Sequence, residues 1–227
     1  MFYELHTRSA FSFLSSGSLP EDFALKAAEL EIPGIALLDR DSVSGAVRLH
    51  LEAKEKGIRA MIGAEITMED KSALPLLPVS IRGYRNLCKL ITTIKLRNSK
   101  GEHFATREDI ETYSADLLCF TGGEDGFLYQ QIENQQGLES LAWLKYVFED
   151  RLYAELQRNH LRNQEDFNQA VTGLAMKLRI PLFASNGPSY CTRRDRELFD
   201  VFTCIKNHCT IEEAGKLLSK NSERCLK

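Results

Sequence analysis

The sequence predicts an α/β fold with a mostly parallel sheet, either closed as a barrel or open and doubly wound. One observation predicts this fold class, and a second bears on the choice between the barrel and the doubly wound form. Seven short apolar runs rich in β-forming residues recur along the 227 residues, and most successive runs are separated by a longer segment with apolar residues at helical spacing. In addition, no glycine-rich phosphate loop follows any of the runs, which argues against a nucleotide-binding doubly wound fold.

The strands are predicted at the apolar runs, and the helices lie between or after them. The predicted strands are Phe2–Thr7, 34–40, 60–67, 74–81, 116–123, 151–158 and 181–186. The predicted helices are 20–31, 45–57, 84–97, 137–150, 164–179, 194–208 and 210–220. Ser18 and Glu21 have the spacing of a capping box at the start of the first helix.

Composition limits the classes of function. With 29 Lys and Arg against 32 Asp and Glu, the net charge of −3 provides no general attraction to nucleic acid or to an anionic membrane. No stretch approaches the ~20 apolar residues of a membrane span, so we expect a cytoplasmic protein. The six cysteines lack paired CxxC spacing and are interpreted mostly as small buried hydrophobes, although Cys204, His208 and Cys209, with Cys191 upstream, leave a zinc site conceivable.

Polar residues follow the predicted strands, and in both candidate folds chemistry gathers at the carboxyl ends of strands. His6 and Arg8 are one residue apart at the end of the first strand and would point the same way. Asp39 and Arg40 end the second strand, and Glu65 lies on the third. These residues predict a polar site in a barrel mouth.

Several motifs together resemble the polymerase and histidinol phosphatase (PHP) domain found at the amino terminus of bacterial C-family DNA polymerase III alpha subunits. They are "ELHTRSAFSFLSSGS", "IPGIALLDRDSVSGAVRLHLEAKEKGIRAMIGAEI", "GYRNLCKLI", "RLYAELQR", "NQAVTGLAMKLRIPLFASNGPSY" and "ELFDVFTCIK". The resemblance implies a distorted (β/α)7 barrel of the TIM-like type, with a multinuclear metal site in its mouth in the metal-binding members. It also implies a PHP barrel over residues 1–190 and a helical segment over 191–227 that closes the barrel and leads to the polymerase core of a longer chain.

The resemblance is poor at the metal ligands of the first strands. Its first motif, two histidines separated by one residue, falls on His6 and Arg8. Its Asp-His pair falls on Asp39 and Arg40, and its glutamate is kept as Glu65.

The later ligand positions have also changed. The Asp-x-His of the family falls on Gly187 and Ser189, and the histidine expected after "LQR" is Asn159, with His160 displaced by one. The cysteine usual after the fifth strand falls on a glycine of "FTGG". If any metal is held, the ligands would be His6, Asp39 and Glu65.

Arginine is cationic and has no lone pair for a metal, so Arg8 and Arg40 would repel a divalent ion. Two carboxylates converging in a barrel mouth need a cation, and guanidinium can supply it with bidentate hydrogen bonds. Our hypothesis is that Arg8 and Arg40 pair with Asp39 and Glu65, so that an ion-pair network replaces the metal site.

Plainer interpretations stay open for the same residues. His6 would also fit a core histidine bonded to a backbone carbonyl, and Asp39 or Asp41 would fit a helix N-cap. The basic cluster of Arg193, Arg194 and Arg196 is typical of a solvated helix start, or of a DNA contact.

Three functions follow. The first is the PHP domain of an alpha-type or error-prone DNA-directed DNA polymerase, itself metal-free, not catalytic, structural and able to dock a proofreading or accessory subunit. Magnesium and DNA would be bound by the whole protein, with the catalytic residues outside the fragment. The second is a metal-dependent phosphoesterase or 3′-5′ exonuclease that uses zinc or manganese on the reduced ligand set. The third is a binding module that recruits a partner through an exposed apolar patch.

Overall fold

The computed structural model describes residues 2–97, 99 and 101–227. Within these residues seven strands form one sheet in the order β1-β2-β3-β4-β5-β6-β7. The strands are β1 (Glu4–Thr7), β2 (Gly34–Arg40), β3 (Arg59–Thr67), β4 (Ala73–Pro78), β5 (Leu117–Phe120), β6 (Leu152–Gln157) and β7 (Leu182–Ser185). Each lies on a predicted strand, so the mixed α/β class is confirmed.

Helices separate or follow most of the strands. They are α1 (Pro20–Glu29), α2 (Ala46–Glu55), α3 (Ile81–Arg97), α4 (Arg107–Tyr113), α5 (Phe127–Glu133), α6 (Gly137–Phe148), α7 (Gln164–Leu178), α8 (Arg196–Lys206) and α9 (Ile211–Ala214), with 3-10 turns at Glu149–Arg151, Arg193–Asp195 and Gly215–Leu217. The sequence analysis did not predict α4 or α5. The short α9 and its turn replace the longer predicted helix 210–220.

The described chain divides into two units. The first comprises the residues up to Ile62, Arg158–Arg162 and Ser185–Lys227, and the second comprises Gly63–Gln157 and Asn163–Ala184. The predicted division at residue 190 stays a prediction.

In the first unit, α1 and α2 cover β2. The core joins Phe23 and Ala27 of α1, Ile35 of β2 and Leu49 of α2, and Leu226 from the carboxyl-terminal segment packs with them. Six of the seven residues of β2 are buried, which fits its continuous apolar run because a strand covered on both faces shows no polar alternation.

In the second unit, β4 runs antiparallel to both β3 and β5, whereas β5 and β6 are parallel. The expectation of a mostly parallel sheet is therefore wrong at β4, because only a five-residue turn joins it to β3 where a parallel crossover needs a dozen or more residues. The Phe120 ring packs against those of Tyr153 and Phe183, with centroids 6.4 and 4.7 Å apart.

The predicted capping box at α1 is wrong. The helix begins at Pro20, and the Leu19 amide donates to the Asp22 carboxylate at 3.1 Å. The Ser18 hydroxyl instead accepts from the Cys191 amide at 2.8 Å. Ser18 therefore ties the loop before α1 to the carboxyl-terminal segment of the same unit.

Candidate functional site

The end of β1 buries charged side chains. Glu4 is fully buried, and His6 and Arg8 are 3% and 8% exposed. One Glu4 oxygen accepts from the His6 amide at 3.0 Å and the other from the Asn186 amide at 2.8 Å. Sequence reasoning missed Glu4, although its place two residues before His6 on the same strand was a usable signal.

The register of β1 against β2 shifts at this point, as it does at a β-bulge or a similar irregularity. Glu4 pairs with Ile35 and Thr7 with Leu37, so three steps along β1 match two along β2. Such an extra residue breaks the alternation of side chains, and bulges are frequent beside functional sites. Arg8 lies beyond the strand, so regular alternation does not govern the directions of His6 and Arg8 as the sequence analysis assumed.

Asp39, at the end of β2, is held by the serine-rich loop after β1. Its Oδ1 accepts from the Ser9 amide at 2.8 Å and from the Ser12 hydroxyl at 2.7 Å. The Ser9 hydroxyl lies 3.0 Å from Oδ1 and 2.9 Å from Oδ2 and shares one hydrogen between them. Ser12 also accepts from the Arg40 amide at 2.9 Å, so one hydroxyl joins two consecutive residues of β2.

Asp39 is not a helix cap. The N-cap of α2 is Gly45, and a Cβ at that position would lie 2.8 Å from Asp39 Oδ2. The absence of a side chain at Gly45 therefore allows the close approach to the carboxylate. The N-cap interpretation of Asp39 is wrong.

Gly187 and Ser189, where the late Asp-x-His motif of the family falls, lie in the first unit with Asp39. The Ser189 carbonyl accepts from the Gly17 amide at 2.9 Å and from the Ser16 hydroxyl at 2.8 Å, and Ser16 also reaches the Arg8 carbonyl at 2.8 Å. Gly187 has a φ of +53°, a left-handed conformation that favours glycine. These contacts join the loop after β1 to the loop after β7.

Asn159 is buried, and its carbonyl accepts from the Asn221 side chain at 2.7 Å. His160, the displaced histidine, is exposed with a φ of +53°. The histidine therefore takes no part in the buried site at this position.

Glu65 lies in the second unit, fully buried on β3. The same unit buries another carboxylate that sequence reasoning missed, Glu155, which accepts from the Gln157 amide group at 2.7 Å. Gly123 gives that glutamine room, since a Cβ there would lie 2.5 Å from its Oε1. The hypothesis that Arg8 and Arg40 pair with Asp39 and Glu65 stays a prediction.

Two of the three arginines in the basic cluster at the start of α8 lie close to a carboxylate. Arg193 lies 2.9 Å from the Glu223 carboxylate and Arg196 lies 3.2 Å from that of Asp200. These pairs favour the solvated helix start over a DNA contact.

Comparison with known families identifies the chain. The PHP domain family matches residues 4–159, more than half of the chain. The chain belongs to the PHP domain family.

Its curated relatives are bacterial DNA polymerases. The error-prone DNA polymerases of Bdellovibrio bacteriovorus and Pseudomonas aeruginosa are 33% and 32% identical to the chain. The DNA polymerase III subunit alpha of Borreliella burgdorferi is 28% identical. Each alignment covers 100% of the chain but only 21% of the polymerase, so the chain spans about a fifth of the length of these relatives.

The PHP fold is also recognisable among solved structures. A candidate metal-dependent phosphoesterase from Bifidobacterium adolescentis superimposes with a TM-score of 0.54 at 10% identity, covering 82% of this chain and 86% of that one. This likeness concerns the fold alone and confirms the predicted barrel class. None of the helices in the described residues is long and apolar enough to cross a membrane.

The side chains of this PHP domain do not fit the metal cluster that the resemblance implies. Within the described residues, no three His, Cys, Asp or Glu side chains are grouped to hold an ion. Asp39 Oδ1 already accepts three hydrogen bonds, which leaves it no lone pair for a metal. We therefore assign no metal-dependent reaction step to these residues.

The cysteines offer little to a soft metal either. Burial raises the pKa of the Cys119, Cys191 and Cys204 thiols. In the part of the chain that the structure describes, Cys204, His208 and Cys209 are not part of any group of three or more possible metal ligands.

Proposed function

We propose that this chain is the PHP domain of a cytoplasmic, DNA-directed DNA polymerase of the error-prone or polymerase III alpha type, and that the domain itself is structural and metal-free. The polymerase relatives support the first part, because they match the chain over its whole length. Nucleotidyl transfer, with magnesium and DNA, would belong to a polymerase region beyond these 227 residues. Proofreading or accessory subunits would be partners of the whole enzyme.

The hydrogen bonds of the Asp39 carboxylate support the proposal that the domain is metal-free. A catalytic metal needs carboxylate and imidazole lone pairs that converge on it, with protein ligands at about 2.0–2.2 Å. Here the Ser9 amide and the Ser12 hydroxyl donate to Asp39 Oδ1, and the Ser9 hydroxyl shares its one hydrogen between Oδ1 and Oδ2. Arginine stands at two positions where the family pattern has histidine. The hydroxyls of Ser9 and Ser12 supply the neutral donors that hold a buried carboxylate without a metal.

Calorimetric titration with Zn²⁺ and Mn²⁺ near neutral pH tests the metal-free state. The polymerase that contains this domain is compared with its His6→Ala/Asp39→Ala/Glu65→Ala variant, so that ions bound by the polymerase region cancel. We expect the same number of sites and the same heats for both proteins. Circular dichroism of the variant checks that its fold is retained.

A site of about micromolar or tighter affinity that the triple variant lacks would contradict the proposal. That outcome would favour the metal-dependent phosphoesterase or 3′-5′ exonuclease with His6, Asp39 and Glu65 as ligands. Release of phosphate or of a mismatched 3′ nucleotide would then be the next measurement.

A further inference from the structure

Helix α8 turns apolar side chains toward solvent. Leu198, Val201 and Ile205 are 46%, 38% and 52% exposed, and Phe202 is half-buried. At 3.6 residues per turn these four residues, separated by three, four and seven positions, share one face about 100° wide. We call this face the α8 stripe.

Other side chains of α8 pack on its own unit through both apolar and polar contacts. Cys204 is 5% exposed, and the Phe199 ring lies 5.8 Å from that of Tyr190, measured between centroids. Asp200 Oδ1 accepts from the Ser219 amide at 2.8 Å, and its Oδ2 accepts from Arg196 Nε at 3.2 Å. A surface helix of a free-standing domain usually keeps its apolar residues on the core side and polar residues on the solvent side. Helix α8 has apolar residues on its core side, and the α8 stripe adds a second apolar face that is largely exposed.

A groove continues the α8 stripe. It has a volume of about 400 Å³, Leu25 of α1 and Leu198 lie along it, and Cys191 contributes to its lining. Its charged lining residues are Asp22, Glu29, Asp195 and Lys26, three carboxylates and one ammonium group. A predominantly acidic border disfavours nucleic acid and anionic lipid headgroups, which carry negative charge, and a groove that combines leucines with charged residues fits a protein surface.

We propose that the α8 stripe and its groove are the docking surface for the polymerase region that continues the polypeptide in the relatives. The PHP family match ends at residue 159, whereas the polymerase relatives align over the whole chain. The stripe therefore lies in the part shared with the polymerases and outside the family match. Most of the length of those relatives lies outside the aligned region, which provides the covering surface.

This inference rests on the proposed function, and hydroxyl-radical footprinting of the polymerase that contains the domain tests it. The oxidation rates of Leu198 and Ile205 are measured in the native protein and in urea. Protection is the oxidation rate in urea divided by the rate in the native protein. If the α8 stripe is uncovered, the exposures of 46% and 52% correspond to roughly twofold protection. If another surface docks on the stripe, we expect protection of about tenfold or more. Val47 and Leu51 of α2, 67% and 62% exposed, provide a matched pair for comparison on another helix of the same unit.

The outcomes are separable. Primer extension by the same preparation tests the proposed function, and its absence contradicts that function. Extension together with protection of only about twofold at Leu198 and Ile205 overturns the docking surface alone. Protection that falls on dilution indicates a second copy of the protein on the stripe and also overturns the proposal.

Discussion

Asp39 was singled out from its place at the end of a strand, but its partners could not be predicted. Ser9 and Ser12 lie 30 and 27 residues before it, and a serine hydroxyl has no sequence signature for one particular partner. The arginines at two histidine positions of the family pattern predict a change in metal binding. The structure was needed to show that two serine hydroxyls and a backbone amide donate hydrogen bonds to the Asp39 carboxylate.

Replacing Ser12 with alanine tests this arrangement. The change removes a donor to a buried carboxylate and the acceptor of the Arg40 amide, so we expect a loss of about 2–3 kcal/mol in the free energy of unfolding. Urea denaturation measures it. Ser15→Ala, on the same loop but bonded weakly to the Phe13 carbonyl at 3.4 Å, should change stability by less than about 0.5 kcal/mol. Equal effects of the two changes would contradict the role of Ser12.

Asp109 predicts a specific dependence of stability on pH. Burial alone would raise its pKa, but hydrogen bonds from Arg97 at 2.7 Å and from Thr106 outweigh burial and lower it. A lowered folded pKa gives stability that is present above the unfolded value of about 3.9 and is lost as the pH falls through the folded value.

Asp109→Asn should therefore cost about 1–2 kcal/mol at neutral pH, with the difference from wild type shrinking below about pH 4. Urea unfolding at several pH values between 7 and about 2 provides the measurement. Glu108→Gln, an exposed neighbour in the same turn, is the matched control. A difference between wild type and Asp109→Asn that stays constant with pH would show that charge is not the cause.

At the scale of elements, all seven strands were predicted, whereas α4 and α5 were not. Both helices have only seven residues, too few to establish a helical period. A local signal was nevertheless available for α4, since Thr106 and Asp109 form a capping box. The antiparallel direction of β4 was not predicted, although a signal was available: the predicted strands 60–67 and 74–81 leave only six residues between them, too few for a parallel crossover.

Two helical glycines give opposite predictions. A Cβ at Gly83 of α3 would lie 2.1 Å from the Asp116 carbonyl oxygen, so Gly83→Ala should destabilise by about 3 kcal/mol. A Cβ at Gly173 of α7 meets nothing within 4 Å, so Gly173→Ala should stabilise by about 0.5–1 kcal/mol. Thermal denaturation of the two variants compares them directly. The same sign for both would mean that the approach of α3 to the Asp116 backbone does not control the choice of glycine.

At the scale of the whole molecule, the family and fold were accessible from the sequence because many motifs in the same order are specific together, even where several ligand positions have changed. A chain that keeps the barrel while its ligand positions lose histidines has retained the apolar residues that pack the core, which do not depend on a metal. If the proposed function is correct, polymerase activity should likewise not depend on the changed side chains of this PHP domain.

His6→Gln in the proposed full-length polymerase tests this expectation. The substitution removes the one imidazole kept from the first ligand motif while retaining a polar side chain of similar size. If the domain is structural, the primer-extension kcat/KM should stay within about twofold of wild type, since nucleotidyl transfer makes no use of this imidazole. Excision of a mismatched 3′ nucleotide, measured on the same preparations, should also be unchanged. If excision is lost while primer extension is retained, His6 takes part in proofreading chemistry. If both activities are lost in parallel and the melting temperature is unchanged, this domain takes part in the polymerase reaction itself.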